Sequence, residues 1–120
     1  MTKTVNVAIV GGGLMGREIA AALQRWPALI DHPVRPELVA VCDINPAALD
    51  WFDQIPTLTS KVTDYADLLG DDAIDVLYIA VRHDLHQQLY VDTIQAGKSL
   101  LAEKPFGIDG SAAAAIMAAA

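Results

Sequence analysis

Apolar runs alternate with amphipathic stretches along this chain, the pattern of a parallel sheet wound with crossover helices. Residues 4–10 are largely apolar and read as a first strand. Residues 14–25 follow as a helix, with Ile19, Leu23 and Trp26 at spacings of four and three on one stripe, and Pro27 ends it. The stretch 28–36 carries Pro33 and Pro36 and reads as a loop, after which residues 37–42 form a second apolar strand running into Asp43. Asn45-Pro46 opens a helix through Leu49, Trp51 and Phe52, with proline in its first turn. A short strand is expected at 61–63 and a short helix at 65–69. Residues 74–81 are apolar nearly without a break, which suits burial on both faces. The helix expected at 84–96 carries Gln87, Tyr90, Val91 and Ile94 on one stripe, Gly97 follows as its C-cap, and residues 99–102 form a fifth strand. The tail 111–120 is almost all alanine and favours helix, anchored by Ile116 and Met117; the alternative is an artificial tail starting at Gly110-Ser111. The expected fold class is α/β, a doubly wound, mostly parallel sheet, with residues 1–120 as one domain.

Between the first strand and its helix lies Gly11-Gly12-Gly13-Leu14-Met15-Gly16, the GxGxxG spacing of a Rossmann fold. Each glycine has a job: Gly11 makes the tight turn, Gly13 lets phosphate approach the backbone, and Gly16 lets helix pack closely on strand. The amides of the helix start, at Leu14 and Met15 among others, would then receive a pyrophosphate without a basic side chain. Asp43, at the carboxyl end of the second strand and followed by Ile44, stands where such a unit places an acid on the adenosine ribose. A carboxylate there accepts both ribose hydroxyls and repels a 2′-phosphate, so NAD is expected in preference to NADP. The competing role for Asp43 is to cap the helix that starts near Asn45 and Pro46.

Composition narrows the partners. The net charge of -7 disfavours nucleic acid and anionic membranes, and no apolar run approaches the ~18 residues of a membrane span. Cys42 is the sole cysteine, which excludes a disulfide framework and suits a reducing cytoplasm; with no cation beside it in sequence it reads as a small buried residue. A hydrophobic share of 53% and a mean hydropathy of +0.34 leave some apolar surface for a partner. His32 and His83 lack a second ligand at metal spacing, and no metal site is expected. Asp71 and Asp72 read as a solvated turn.

Three segments taken together go further: the glycine turn with Asp43, the run from Ile79 to His86, and Ala96-Gly97-Lys98 leading into Glu103-Lys104-Pro105. Over essentially the whole chain they resemble the nucleotide-binding half of the glucose-fructose oxidoreductase, inositol dehydrogenase and rhizopine catabolism (Gfo/Idh/MocA) family. The resemblance implies a nicotinamide dinucleotide across the strand ends, with Lys104 near the nicotinamide and the substrate hydroxyl as the catalytic residue. It implies that Glu103 orients that lysine or the nicotinamide ribose, and that Pro105 follows a cis peptide, as is frequent in such proteins. The alternative for Glu103 and Lys104 is an exposed ion pair. Where the family usually reads Thr-Pro-Asn, this chain has Val81, Arg82 and His83. Arg82 is either a contact to pyrophosphate or an acidic substrate group, or an exposed loop arginine. His86 matches the family's histidine and reads either as a cofactor contact or as a hydrogen-bonded core residue that positions the loop. The implied function is hydride transfer between NAD and a hydroxyl or keto group of a sugar- or cyclitol-like small molecule, completed by a C-terminal α/β substrate domain absent from this chain. A homo-oligomer formed through that absent domain stays open, as does a non-catalytic dinucleotide-binding sensor or assembly module.

Overall fold

The computed structural model describes residues 2–104 and 107–120. Strands β1 (Lys3–Val10), β2 (Val34–Cys42), β3 (Ser60–Val62), β4 (Val76–Ile79) and β5 (Ser99–Leu101) form one sheet in the order β3-β2-β1-β4-β5. Every neighbouring pair is parallel. The chain winds outward from β1 to β3, then crosses back to β4. The order therefore reverses beside β1, which opens a crevice at the carboxyl ends of the strands.

Both faces of the sheet are covered. Helix α1 (Leu14–Leu23) and a 3-10 helix (Pro46–Gln54) lie on one face, over Ile9, Leu38, Val41 and Tyr78. Helices α2 (Ala66–Leu69), α3 (His86–Gln95) and α4 (Gly110–Ala119) lie on the other, over Ala8, Val10, Cys42, Leu77 and Ile79. In the middle of β2 the register shifts: Val7 pairs with Leu38 but Ala8 with Ala40, so Val39 has no partner on β1. Leu38 and Val41, three apart, consequently share one face while Ala40 and Cys42 share the other. The Val39 carbonyl accepts the Thr59 amide at 2.8 Å and its hydroxyl at 3.1 Å, and the Leu38 carbonyl accepts the Thr57 hydroxyl at 2.6 Å.

Several expectations are corrected. Strand β2 begins at Val34, inside the expected 28–36 loop, because β3 pairs only with residues 40–42 and leaves an open edge beside Pro36, where a missing N–H costs nothing. The segment after Asn45 is a 3-10 helix: Leu49, Phe52 and Ile55, spaced by three, are all buried, and a three-residue turn puts them on one face. Helix α1 ends at Leu23, and Trp26 belongs to a following 3-10 turn (Trp26–Ala28), where it packs edge-on against His32 and under the Arg35 guanidinium. On α3 the buried stripe is His86, Leu89, Tyr90 and Thr93, one step round from the expected one, and Gln87 is exposed. Strand β4 spans only four of the expected eight residues, since its ends turn into loops. Gly97 caps α3 as expected, with φ +79 and the Lys98 amide reaching back to the Thr93 carbonyl. The alanine tail is a helix: Asp109 caps it through the Ala112 amide at 2.8 Å, and Ile116 is fully buried while Met117 faces solvent. The expected cis peptide before Pro105 lies outside the described residues.

Candidate functional site

The glycine loop owes its shape to contacts that exclude side chains. Gly11 has φ +109, and a Cβ there would lie 2.2 Å from the Ala80 carbonyl oxygen on the exit of β4. A Cβ on Gly16 would lie 2.0 Å from the Gly11 carbonyl oxygen, so α1 can approach β1 only over a hydrogen atom. Gly13 differs, because a Cβ there would meet nothing within 4 Å. It is the N-cap of α1 and has no side chain to satisfy the first-turn amides. The positive end of the helix dipole lies at Gly13, on the edge of the crevice, while Leu14 and Met15 are exposed and do not line it.

The crevice is a cleft of about 750 Å³. Of the expected site positions, Gly11, Gly13, Asp43, Ile44, Val81 and Arg82 line it, joined on the far side by Tyr65, Leu85, Gln88 and Leu89. Gly16 lies buried beneath the loop. Asp43 is committed on both oxygens: Oδ2 accepts the Gly12 amide at 2.7 Å and Oδ1 accepts the Asn45 amide at 2.8 Å. It therefore ties the glycine loop to the end of β2 and also shapes the turn into the 3-10 helix, for which Asn45 is the cap. Two of the roughly four lone-pair directions of a carboxylate stay available to further donors. Cys42, just before it, is buried, and burial followed by the Asp43 charge pushes its thiol up to about 11, so it stays a neutral packing residue.

At the exit of β4, Arg82 forks onto Asp84, Nε to Oδ1 at 3.1 Å and a terminal nitrogen to Oδ2 at 2.7 Å, with its side chain 80% exposed at the cleft mouth. His86 is 1% exposed, stacked on Tyr90 with ring centroids 4.8 Å apart, and its Nε2 lies 3.3 Å from the Val81 carbonyl oxygen.

Glu103 and Lys104 follow β5 and do not line this cleft; they sit one strand beyond β4. Lys104 is exposed and donates its amide to Glu103 Oε1 at 2.9 Å. Glu103 Oε2 accepts the Tyr78 hydroxyl at 2.9 Å. These two donors, the Lys104 amide foremost, hold the Glu103 carboxyl below its usual range. Tyr90 completes the arrangement by donating its hydroxyl to the Glu103 carbonyl and accepting the Glu103 amide, both at 3.0 Å. Sequence reasoning missed both tyrosine roles. A signal for Tyr78 was present: a phenol inside an otherwise aliphatic, fully buried strand must find a partner for its hydroxyl. Among the described residues no group of three or more His, Cys, Asp or Glu is placed to hold a metal, and no helix is long and apolar enough to cross a membrane.

Comparison with known proteins agrees with this geometry. Residues 5–120 match the family model described as the oxidoreductase family, NAD-binding Rossmann fold. The chain is 30% identical over 105 residues to the inositol 2-dehydrogenase/D-chiro-inositol 3-dehydrogenase of Lactiplantibacillus plantarum, covering 87% of this chain and 28% of that protein. It is 31% identical over 112 residues to the trans-1,2-dihydrobenzene-1,2-diol dehydrogenase of Xenopus laevis, covering 93% and 32%. Levoglucosan dehydrogenase, solved in complex with NADH and L-sorbose, superposes with a TM-score of 0.88 at 26% identity, covering 98% of this chain and 32% of that one. The chain thus spans about a third of the length of these relatives. With its five parallel strands, its glycine turn and a match from residue 5 to residue 120, the chain belongs to the Gfo/Idh/MocA oxidoreductase family, as a Rossmann domain.

Proposed function

We propose that this chain is the NAD-binding part of an oxidoreductase that moves hydride between a nicotinamide cofactor and a CH–OH or C=O group of a sugar- or cyclitol-like substrate. The observation that carries the reading is the open space at Gly13, beside uncapped helix amides and at the edge of the cleft. A phosphate fits there because nothing occupies the position of the absent Cβ. The relatives support the chemistry, since the levoglucosan enzyme is solved with NADH and with sugar ligands, and others are inositol and diol dehydrogenases.

On this reading the amides of Gly13, Leu14 and Met15 receive the pyrophosphate, and the spare lone pairs of Asp43 receive the adenosine ribose hydroxyls. Ile44 and Val81 supply apolar walls, and Arg82 exchanges part of its fork on Asp84 for a phosphate or acidic substrate oxygen. His86 acts through the Val81 carbonyl, keeping the β4 exit in place. Glu103 faces the nicotinamide ribose. A bound nicotinamide would supply the hydride chemistry, and in the direction of carbonyl reduction the Lys104 ammonium donates its proton to the substrate oxygen, stabilising the negative charge that develops there as hydride arrives. Asp43 beside the ribose disfavours a 2′-phosphate, so NAD is preferred to NADP. A second domain in the longer protein completes the substrate pocket, so this chain binds cofactor without turnover.

Calorimetry with NADH and NADPH tests the cofactor assignment: NADH binds more tightly, and no heat from either at millimolar concentration overturns it. In the two-domain protein, Lys104→Ala lowers turnover at least ~100-fold with NAD affinity within a few-fold, as for an interaction made in the transition state. Unchanged turnover removes Lys104 from the mechanism.

A further inference from the structure

Two tyrosine hydroxyls converge on Glu103 from opposite faces of the sheet. Tyr78 stands on β4 in the core layer under α1, and Tyr90 stands on α3 in the other layer. The β4–β5 ladder stops at the pair Tyr78 and Leu101, so residues 102–104 run on without a strand partner. Tyr90 substitutes for one, since a single hydroxyl accepts the Glu103 amide and donates to the Glu103 carbonyl, each at 3.0 Å. Tyr78 then fixes the side chain by donating to Oε2 at 2.9 Å, and Oε1 takes the Lys104 amide. Backbone and carboxylate of one residue are thereby held from two elements. The same Tyr90 ring carries the His86 imidazole, whose Nε2 lies beside the Val81 carbonyl oxygen, so the exit of β4 and the end of β5 are linked through one aromatic stack.

We infer that Tyr78 and Tyr90 are positioning residues for the nicotinamide end of the cofactor: they set Glu103, and through it Lys104, against the nicotinamide ribose and the reacting carbon. The inference rests on the cofactor reading above. Stability alone is a poor account of this arrangement. Satisfying two buried phenols needs any two acceptors, whereas here both hydroxyls serve the one partly exposed acidic residue that precedes the lysine.

NADH and ADP separate the two ends of the site, because ADP keeps the adenosine and pyrophosphate but lacks the nicotinamide and its ribose. Their affinities are compared on the 120-residue chain and its Tyr78→Phe and Tyr90→Phe variants, NADH by fluorescence and ADP by calorimetry. Each variant weakens NADH about three- to tenfold, the scale of one hydrogen bond partly replaced by water, and ADP less than about twofold. In a Glu103→Ala background, Tyr78→Phe leaves the NADH to ADP ratio where Glu103→Ala alone puts it. A purely structural role shifts both ligands in parallel, and that result, or an unchanged ratio, overturns the inference. The variants lie on different elements, so loss of fold in one leaves the other to decide. If the unaltered chain binds neither ligand, the cofactor reading itself falls and this inference with it; if it binds both and the ratio does not move, only the inference falls.

Discussion

Adding one methyl group at Gly13 or at Gly16 has opposite expected consequences, and the contrast separates the fold from the site. Gly13 has φ -78 and ψ -162, a conformation alanine adopts readily, and its added Cβ meets no atom within 4 Å. Replacing an N-cap glycine by alanine costs up to ~1 kcal/mol, and the stiffer unfolded chain returns ~0.4–1 kcal/mol, so Gly13→Ala changes stability by less than about 1 kcal/mol. The new methyl nevertheless fills the space into which a pyrophosphate would come, and NADH affinity falls at least ~10-fold, or ~1.4 kcal/mol. At Gly16 the added Cβ lies 2.0 Å from the Gly11 carbonyl oxygen. Gly11 has no slack to give, because at φ +109 even a Cβ of its own would lie 2.2 Å from the Ala80 carbonyl oxygen. Overpacking of this kind costs ~1–3 kcal/mol where neighbours can yield, and backbone on both sides puts Gly16→Ala at or above about 3 kcal/mol, a large part of a typical ~5–15 kcal/mol stability. Urea denaturation followed by fluorescence of Trp26 and Trp51, with NADH titration on the same samples, reads both quantities. The reasoning is refuted if Gly13→Ala destabilises as much as Gly16→Ala, or if Gly13→Ala binds NADH as the unaltered chain does.

Two further outcomes follow from the hydrogen bonding. Asp43→Ala strands the buried Gly12 amide and should lower stability by about 2 kcal/mol, with the gap between NADH and NADPH affinity narrowing; a variant as stable as the parent in urea would show that the carboxylate does not hold the loop. All three tyrosines titrate above the ordinary phenol value of ~10: Tyr65 at about 12 through its hydrogen bond to Asp92, Tyr78 at about 12 through burial and then Glu103, and Tyr90 upward through burial. Because folding favours the protonated phenols, their contribution is complete below pH ~10 and is lost as pH rises towards 12. Absorbance at 295 nm with circular dichroism should show tyrosinate appearing late and together with unfolding, whereas a native titration midpoint near 10 contradicts the assignment.

The order of elements was legible in the sequence because each strand and helix writes its own period locally, and the glycine turn because Gly11 and Gly16 admit no side chain. What the sequence did not disclose depends on residues far apart. The three-residue spacing of Leu49, Phe52 and Ile55 becomes a 3-10 helix only when a sheet face is there to receive it. The stripe of α3 shifted because Leu89 and Thr93 are buried beside Tyr90 while Gln87 faces solvent, and only the sheet beneath the helix decides which side turns inward. Asp43 was legible as a candidate from its place at the end of β2, but its bond to Gly12 spans 31 positions and makes the cap and the loop tie one carboxylate's work. Glu103 and Lys104 stood out as a motif, whereas the two hydroxyls that fix Glu103 come from positions 25 and 13 residues away, in separate layers.

The unpaired Val39 in β2 acts as a phase setter for everything downstream of it. Side chains on a strand alternate, so one residue more or fewer between Leu38 and Asp43 would exchange Val41 with Cys42 between the two layers and turn Asp43 away from Gly12. Upstream, the loop over 29–33 can change length without touching that alternation. Length variation in this domain should therefore collect before residue 34 and be absent from the stretch 38–43, where a single deletion would disconnect the glycine turn from its carboxylate while leaving every other residue in the chain intact.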